Sequence, residues 1–273
     1  MQDRRKREIR IKADTLRANL KKGRYGIIDL FSECKQLGFH LLRYPLGEDA
    51  SLGFTLKKDN DIIIFTNSCS RLSREIFTLA HEMGHAILHL NGEQSFLEDN
   101  GTIHGLTEDE REDEANYFAS CLLLPVNDIS RFMDMEIHNL NEKELSALDI
   151  ARIMSAFNVS FDMALNRLES LGFINLNQKR CLDNEKTKIR VGNLLRSVGG
   201  NAGLNEASKV TDIPYEYMEY AIYNYNHNAI PIETLERVLS YYYLTLEDVS
   251  DKMVKHNHEL EEDLDDLIGV LED

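Results

Sequence analysis

The run Phe77-Thr-Leu-Ala-His-Glu-Met-Gly-His-Ala-Ile-Leu-His89 constrains this chain more than any other stretch. Leu72, Ile76, Leu79, Met83, Ile87 and Leu90 follow one another at steps of three or four, the period of a helix with one buried face. Ser70 is a candidate N-cap, and Gly92 lies just past the last periodic residue. On such a helix His81 and His85 share a face and can grip one metal ion. Glu82 then lies beside that ion. A carboxylate there can take the proton of a water whose pKa the ion lowers from about 15.7 toward about 7.

Two imidazoles leave the ligand set incomplete, and three sources for a further ligand can be weighed. His89 would sit about 12 Å along the axis from His81 on an unbroken helix, too far for metal–nitrogen bonds of about 2.0–2.1 Å. It is expected beside the site or on the surface. The metzincin continuation H-x-x-G-x-x-H is absent, since its required positions hold Leu88 and Asn91. The third source is the acidic stretch Thr107-Glu-Asp-Glu-Arg-Glu-Asp-Glu-Ala-Asn-Tyr-Phe-Ala119. Thr107 and Glu110 read as a capping box, so a helix should begin there. Its apolar face is Ala115, Phe118, Ala119 and Leu122, with Glu112 on the edge of that face. Glu114 is the alternative ligand, expected to point further toward solvent. Ala115 and Ala119 are small enough to let this helix approach the first one closely. Asn116, one turn after Glu112, is placed to orient a histidine.

These pieces resemble the ImmA/IrrE-type metallopeptidases. The resemblance rests on Arg74-Glu-Ile-Phe-Thr-Leu-Ala-His-Glu-Met-Gly-His85, on Glu112-x-x-Ala115-Asn116-x-Phe118-Ala119, and on Leu122-Leu123-Leu124-Pro125. It covers residues 25–125 well and extends weakly to about 175. It implies a cytosolic zinc-type endopeptidase of bacterial or phage origin that inactivates a helix-turn-helix repressor of the Xre/Cro type by cutting it, in a DNA-damage or prophage-induction response. On that analogy His81, His85 and Glu112 bind Zn2+ (or Mn2+) and Glu82 is the general base. Tyr117, His89 and His104 are candidates for steadying the oxyanion.

The rest of the chain sets the frame. A net charge of -16, from 31 Lys+Arg against 47 Asp+Glu, repels a phosphate backbone unless the positive charges are gathered. Ten Lys/Arg do gather in positions 1–24, read as a solvated first helix or as a steering patch. Nothing approaches 18 consecutive apolar residues, and the basic N-terminus lacks the apolar core of a secretory signal. Cys34, Cys69, Cys121 and Cys181 lie far apart, as reduced thiols of a cytoplasmic protein would.

Helices are expected at 4–21 and about 27–37, a strand at Phe39–Tyr44, and a hairpin of Ser51–Lys57 with Ile62–Thr66. That is an α+β unit whose sheet packs on the helix carrying the two histidines. Residues 126–175 read as helical, with a helix-turn-helix-like break at Asn158-Val159-Ser160. Residues 176–188 are polar and poorly periodic, as in a linker. The organisation expected is a zincin-like metallopeptidase domain at 1–125, a helical module at 126–178 and an acidic, faintly Xre-like helical domain at 179–273.

In that last domain, Tyr215-Glu-Tyr-Met-Glu-Tyr-Ala-Ile-Tyr-Asn-Tyr has no Lys or Arg, which argues against direct DNA binding. Its tyrosines suit a protein interface, with ordinary core use as the plainer account. The tail from His256 to Asp273 reads as a closing helix that packs on its neighbours or pairs with another copy. The alternative to a peptidase is a regulator that keeps this fold and metal but works by binding a partner through its C-terminal half.

Overall fold

The computed structural model describes residues 1–58, 60–90, 106–137 and 144–254, without the side chains of 106–109. These residues form α-helices and one three-stranded sheet, the α+β class expected from the sequence. Contacts divide the chain into two compact units, Met1–Asp212 and Ile213–Asp273.

The first unit opens with α1 (Asp3–Ala18) and α2 (Leu30–Gln36). The second helix is shorter than its apolar pattern suggests because Asp29 caps it. The Asp29 carboxylate accepts from the N–H of Phe31 at 3.0 Å and of Ser32 at 3.2 Å. Strands β1 (His40–Tyr44), β2 (Gly53–Lys58) and β3 (Asp61–Asn67) follow. β3 is central, parallel to β1 and antiparallel to β2, with Thr55 opposite Ile64. The predicted hairpin is therefore present, and the apolar Ile62–Phe65 run is the middle strand.

Two helices build on this sheet, α3 (Leu72–His89) and α4 (Leu106–Leu123). Ile76, Leu79, Met83 and Leu90 are buried, as their spacing requires. Ser70 does not cap α3. Its hydroxyl donates to the Asn67 carbonyl at 2.9 Å, and Arg71 takes the N-cap position without a side-chain cap. Gly92 lies outside the described residues. α4 starts at Leu106, one residue before Thr107, whose side chain also lies outside them.

The two helices approach closely where Gly84 meets Ala115. A Cβ on Gly84 would stand 3.2 Å from the Ala115 Cα and 3.3 Å from its carbonyl oxygen. The small residue inside the H-E-x-x-H run is thus what lets α4 come near. The last turn of α4 carries no basic residue of its own. Two buried arginines from elsewhere satisfy its terminal carbonyls: Arg17 Nη1 donates to Leu122 O at 2.7 Å and Arg167 Nε to Leu124 O at 3.0 Å.

The unit continues through α5 (Val126–Glu136), α6 (Ala147–Phe157), α7 (Phe161–Ser170), α8 (Leu176–Lys188) and α9 (Val191–Ser197). Asn158 ends α6 in the left-handed region and Ser160 caps α7, so the predicted break falls where expected. The linker expected at 176–188 is instead helix α8. Asn175 caps it through the Gln178 N–H, and Leu182 anchors it in the core. One apolar cluster runs from Ile9 to Leu204, across the boundaries expected after residues 125 and 178.

The second unit holds α10 (Tyr215–Asn226), α11 (Ile232–Ser240) and a 3-10 turn at Glu247–Lys252. Met218, Ala221, Ile222, Leu235, Val238, Leu239 and Val249 form its own core. Tyr215, Tyr217, Tyr220 and Tyr223 of α10 stay exposed. The tail at 256–273 lies outside the described residues. Among the described residues, no helix is long and apolar enough to cross a membrane.

Candidate metal centre

Residues four apart on α3 and a carboxylate from α4 meet at one point. Glu112 Oε2 lies 3.1 Å from His81 Nε2, and Glu112 Oε1 lies 3.0 Å from His85 Nε2. The two imidazole Nε2 atoms are themselves 3.0 Å apart. One ligand atom from each of the three residues falls within a 4.8 Å span.

The protonation of both rings follows from their other neighbours. His81 Nδ1 lies 3.0 Å from Asn116 Oδ1, an acceptor, so Nδ1 carries the hydrogen and Nε2 a lone pair. His89 Nε2 lies 3.1 Å from Glu114 Oε2, so His89 donates there and keeps a lone pair on Nδ1. That lone pair accepts from His85 Nδ1 at 3.0 Å, which leaves the Nε2 of His85 unprotonated as well. Two nitrogen lone pairs and a carboxylate therefore face one another. Such a group repels itself unless a cation sits among it, and two histidines with one carboxylate are a donor set that zinc accepts. Zn2+ fits these residues, and Mn2+ is compatible with them.

Burial also keeps the rings neutral. It pushes the His85 pKa down to about 3, with His81 and His89 adding to the effect, and it lowers His81 and His89 in the same direction.

Glu114 is not the solvent-facing residue that its place on the helix suggests. Its side chain is 17% exposed, against 49% for Glu112. Arg5 of α1 draws it inward through a two-pronged bond, Nε to Oε1 at 2.7 Å and Nη2 to Oε2 at 2.6 Å. That hydrogen bonding holds the Glu114 carboxyl below its ordinary range. His89 stands beside the centre, joining it to Glu114 and Arg5. Part of the basic N-terminal helix thus serves the site from behind.

Glu82 is buried beside the three donors. Thr55 of β2 holds it, with Oγ1 2.7 Å from Glu82 Oε2 and 3.0 Å from its backbone carbonyl. Burial raises the Glu82 carboxyl to about 7, against the lowering by Thr55 and with a smaller push from Glu112. A neighbouring cation would draw it back down. Gly53 lets β2 come this near, because a Cβ there would stand 2.5 Å from Thr78 Cγ2, 2.9 Å from Phe65 O and 3.3 Å from Glu82 Cγ.

Of the candidates for an oxyanion partner, Tyr117 has Arg167 5.9 Å from its ring centre, and burial raises its phenol pKa. His104 lies outside the described residues. Thr55, Gly53, Arg5 and Gly84 are contributors that the sequence reading did not single out.

No curated protein matches this sequence. A solved structure described as a Mycobacterium tuberculosis transcriptional regulator is similar over 63% of this chain and 49% of its own, at 15% identity and a TM-score of 0.40. The chain thus spans about half the length of that protein. Residues 34–169, which contain both helices of the centre, match the Peptidase_M78 family, described as an IrrE N-terminal-like domain. Through that domain the chain belongs to the ImmA/IrrE-type metallopeptidase family.

Proposed function

We propose that this protein is a metal-dependent endopeptidase that cleaves a regulatory protein, an Xre/Cro-type repressor in a bacterial or prophage induction switch. The observation that supports this most is the convergence of the lone pairs of His81 and His85 with the Glu112 carboxylate, Glu82 held alongside by Thr55. A bound Zn2+ (or Mn2+) would supply the acidity that makes a water nucleophilic near neutral pH. Glu82 would take the proton from that water and return it to the leaving amine, and Thr55 would keep its carboxylate aimed. Asn116 and His89 would keep the two ligand rings turned inward. The free thiols of Cys34, Cys69, Cys121 and Cys181 suit a cytoplasmic setting.

A second reading is a regulator that binds its partner without cutting it. It draws on α10, where Tyr215, Tyr217, Tyr220 and Tyr223 are 44–64% exposed, a surface rich in the residues that anchor protein interfaces.

Co-expression with the Xre-type regulator encoded nearest to this protein separates the two. The regulator's size is followed by blotting beside the wild type and beside Glu82→Gln, which keeps the metal donors and loses the base. Fragments with the wild type alone support the peptidase. An intact regulator that co-purifies with both forms supports the binding reading.

A further inference from the structure

A cleft of about 1310 Å³ opens next to the metal centre, and its charge is opposite to that of the chain. The net charge of the protein is -16, yet among the described residues this cleft is lined by Lys6, Arg71, Arg74, Arg167 and Lys186 against Glu48 and Asp162. Lys186 and Asp162 pair with each other. Among the described residues, no carboxylate forms an ion pair with Lys6, Arg71, Arg74 or Arg167. Arg167 is 6% exposed; its guanidinium meets the Leu124 carbonyl, the Cys121 sulfur and the Tyr117 ring, and Asp14 acts on it through space. Lys6, Arg71 and Arg74 leave the wall of the cleft positive, a field that favours a carboxylate brought into it.

The cleft adjoins the centre through residues that touch His81. Asn116, which orients His81, lines its wall together with Phe77, Tyr117 and Ser120. Arg74, Phe77 and His81 fall on one stripe of α3 at steps of three and four, so Arg74 lies about 10.5 Å along the helix from His81. Extended polypeptide advances about 3.3 Å per residue, so that distance is about three residues.

We propose that this cleft is a recognition site for an acidic stretch of polypeptide, which Arg71 and Arg74 engage about three residues from the bond to be cut. The proposal rests on the peptidase reading for its reference to a scissile bond; binding of the acidic segment does not depend on it. Nucleic acid would present the same sign of charge in a different form. The polar side chains here, Asn116, Ser120 and Asn166, suit the amide groups of a peptide, and among the described residues the rings that line the cleft, Phe77, Tyr117 and Phe161, are half-buried or buried and offer bases little face to stack on.

The test is fluorescence anisotropy with the full-length, zinc-loaded Glu82→Gln protein and three labelled probes: an octaglutamate, an octalysine and an oligothymidylate of eight nucleotides. The octaglutamate should bind, should weaken with added salt, and should lose at least tenfold in affinity when Arg71→Glu and Arg74→Glu are combined, with circular dichroism and zinc content unchanged. Both positions are exposed, so the double variant should fold. Octalysine should not bind the parent protein. Octaglutamate affinity that is the same in parent and double variant overturns the proposal. So does oligothymidylate that binds more tightly than octaglutamate and depends on the same two arginines. Casein digestion by the wild type, measured in parallel, reports on the peptidase reading alone. Its failure beside arginine-dependent octaglutamate binding would leave the acidic-peptide site standing.

Discussion

The Thr55 hydroxyl stands 2.7 Å from Glu82 Oε2, so an edge strand fixes the aim of the carboxylate on the neighbouring helix. Removing that hydroxyl without changing the shape of the side chain isolates its effect. If Glu82 is the base proposed above, Thr55→Val should lower kcat by on the order of tenfold or more, with zinc stoichiometry unchanged, because the lost bond aims the Glu82 carboxylate and does not touch the proposed metal donors. Steady-state kinetics on a cleavable protein, beside metal analysis, checks this. A variant with the wild-type kcat would show that Glu82 needs no such support.

His89 joins the Nδ1 of His85 to Glu114, and Asn116 holds the Nδ1 of His81. Loss of such partners typically weakens a metal site by about 10- to 100-fold. His89→Ala and Asn116→Ala should each raise the zinc dissociation constant within that range in a competition titration against a chelator. Arg5→Ala, one bond further out, should have a smaller effect. Equal zinc affinity in all three variants would mean that packing alone sets the ring orientations.

Gly53 is the point where β2 passes close to α3. An added methyl would meet the Phe65 carbonyl oxygen, a backbone atom that can shift only with its strand. Gly53→Ala should therefore destabilise the first unit by about 1–3 kcal/mol, as overpacking of a filled interior does. The urea midpoint, compared at constant m-value, measures it. Because the displaced strand also carries Thr55, peptidase activity should fall together with stability.

The sequence makes plain what is local. The apolar period of α3, the hairpin of β2 and β3, the i,i+4 histidines and the place of Glu112 on its helix all follow from neighbours a few residues apart. Thr55 escapes such a reading because its partner lies 27 residues away, across a register that only the packed sheet defines. Glu114 is misplaced for the same reason. Helical spacing turns it outward, but Arg5, 109 residues earlier, draws it in. Helix α8 is polar on most faces and buries mainly Leu182, too little periodicity to announce a helix.

The four thiols should separate by accessibility. Cys181 is exposed, Cys69 is half-buried, and Cys34 and Cys121 are buried. Burial pushes the Cys34 thiol up to about 12 and raises Cys121 as well, so neither supplies thiolate at pH 8. A thiol reagent at that pH should titrate Cys181 first and Cys69 more slowly. Cys34 and Cys121 should react only in denaturant, which a time course of thiol release with and without urea would show. Rapid reaction of Cys34 in the native protein would mean that the core around α2 opens readily.

Glu112 and Glu114 make different demands on substitution, which allows the ligand to be identified directly. Glu112 Oε1 and Oε2 face the two histidines, whereas Glu114 answers Arg5 and His89. Glutamine keeps the size and a carbonyl acceptor but loses the negative charge. Glu114→Gln can still accept from His89, so zinc should continue to raise the melting temperature. Free zinc at 100 times its dissociation constant contributes about 2.7 kcal/mol to stability. Glu112→Gln replaces a charged ligand by a weak neutral one and should lose most of that gain at the same zinc concentration. Cobalt substitution gives a second readout, because the visible spectrum should change for Glu112→Gln and remain close to that of the wild type for Glu114→Gln. The opposite pattern, with Glu112→Gln stabilised by zinc and Glu114→Gln not, would move the third ligand to Glu114. It would also make the Arg5 pair a contact that metal binding has to break.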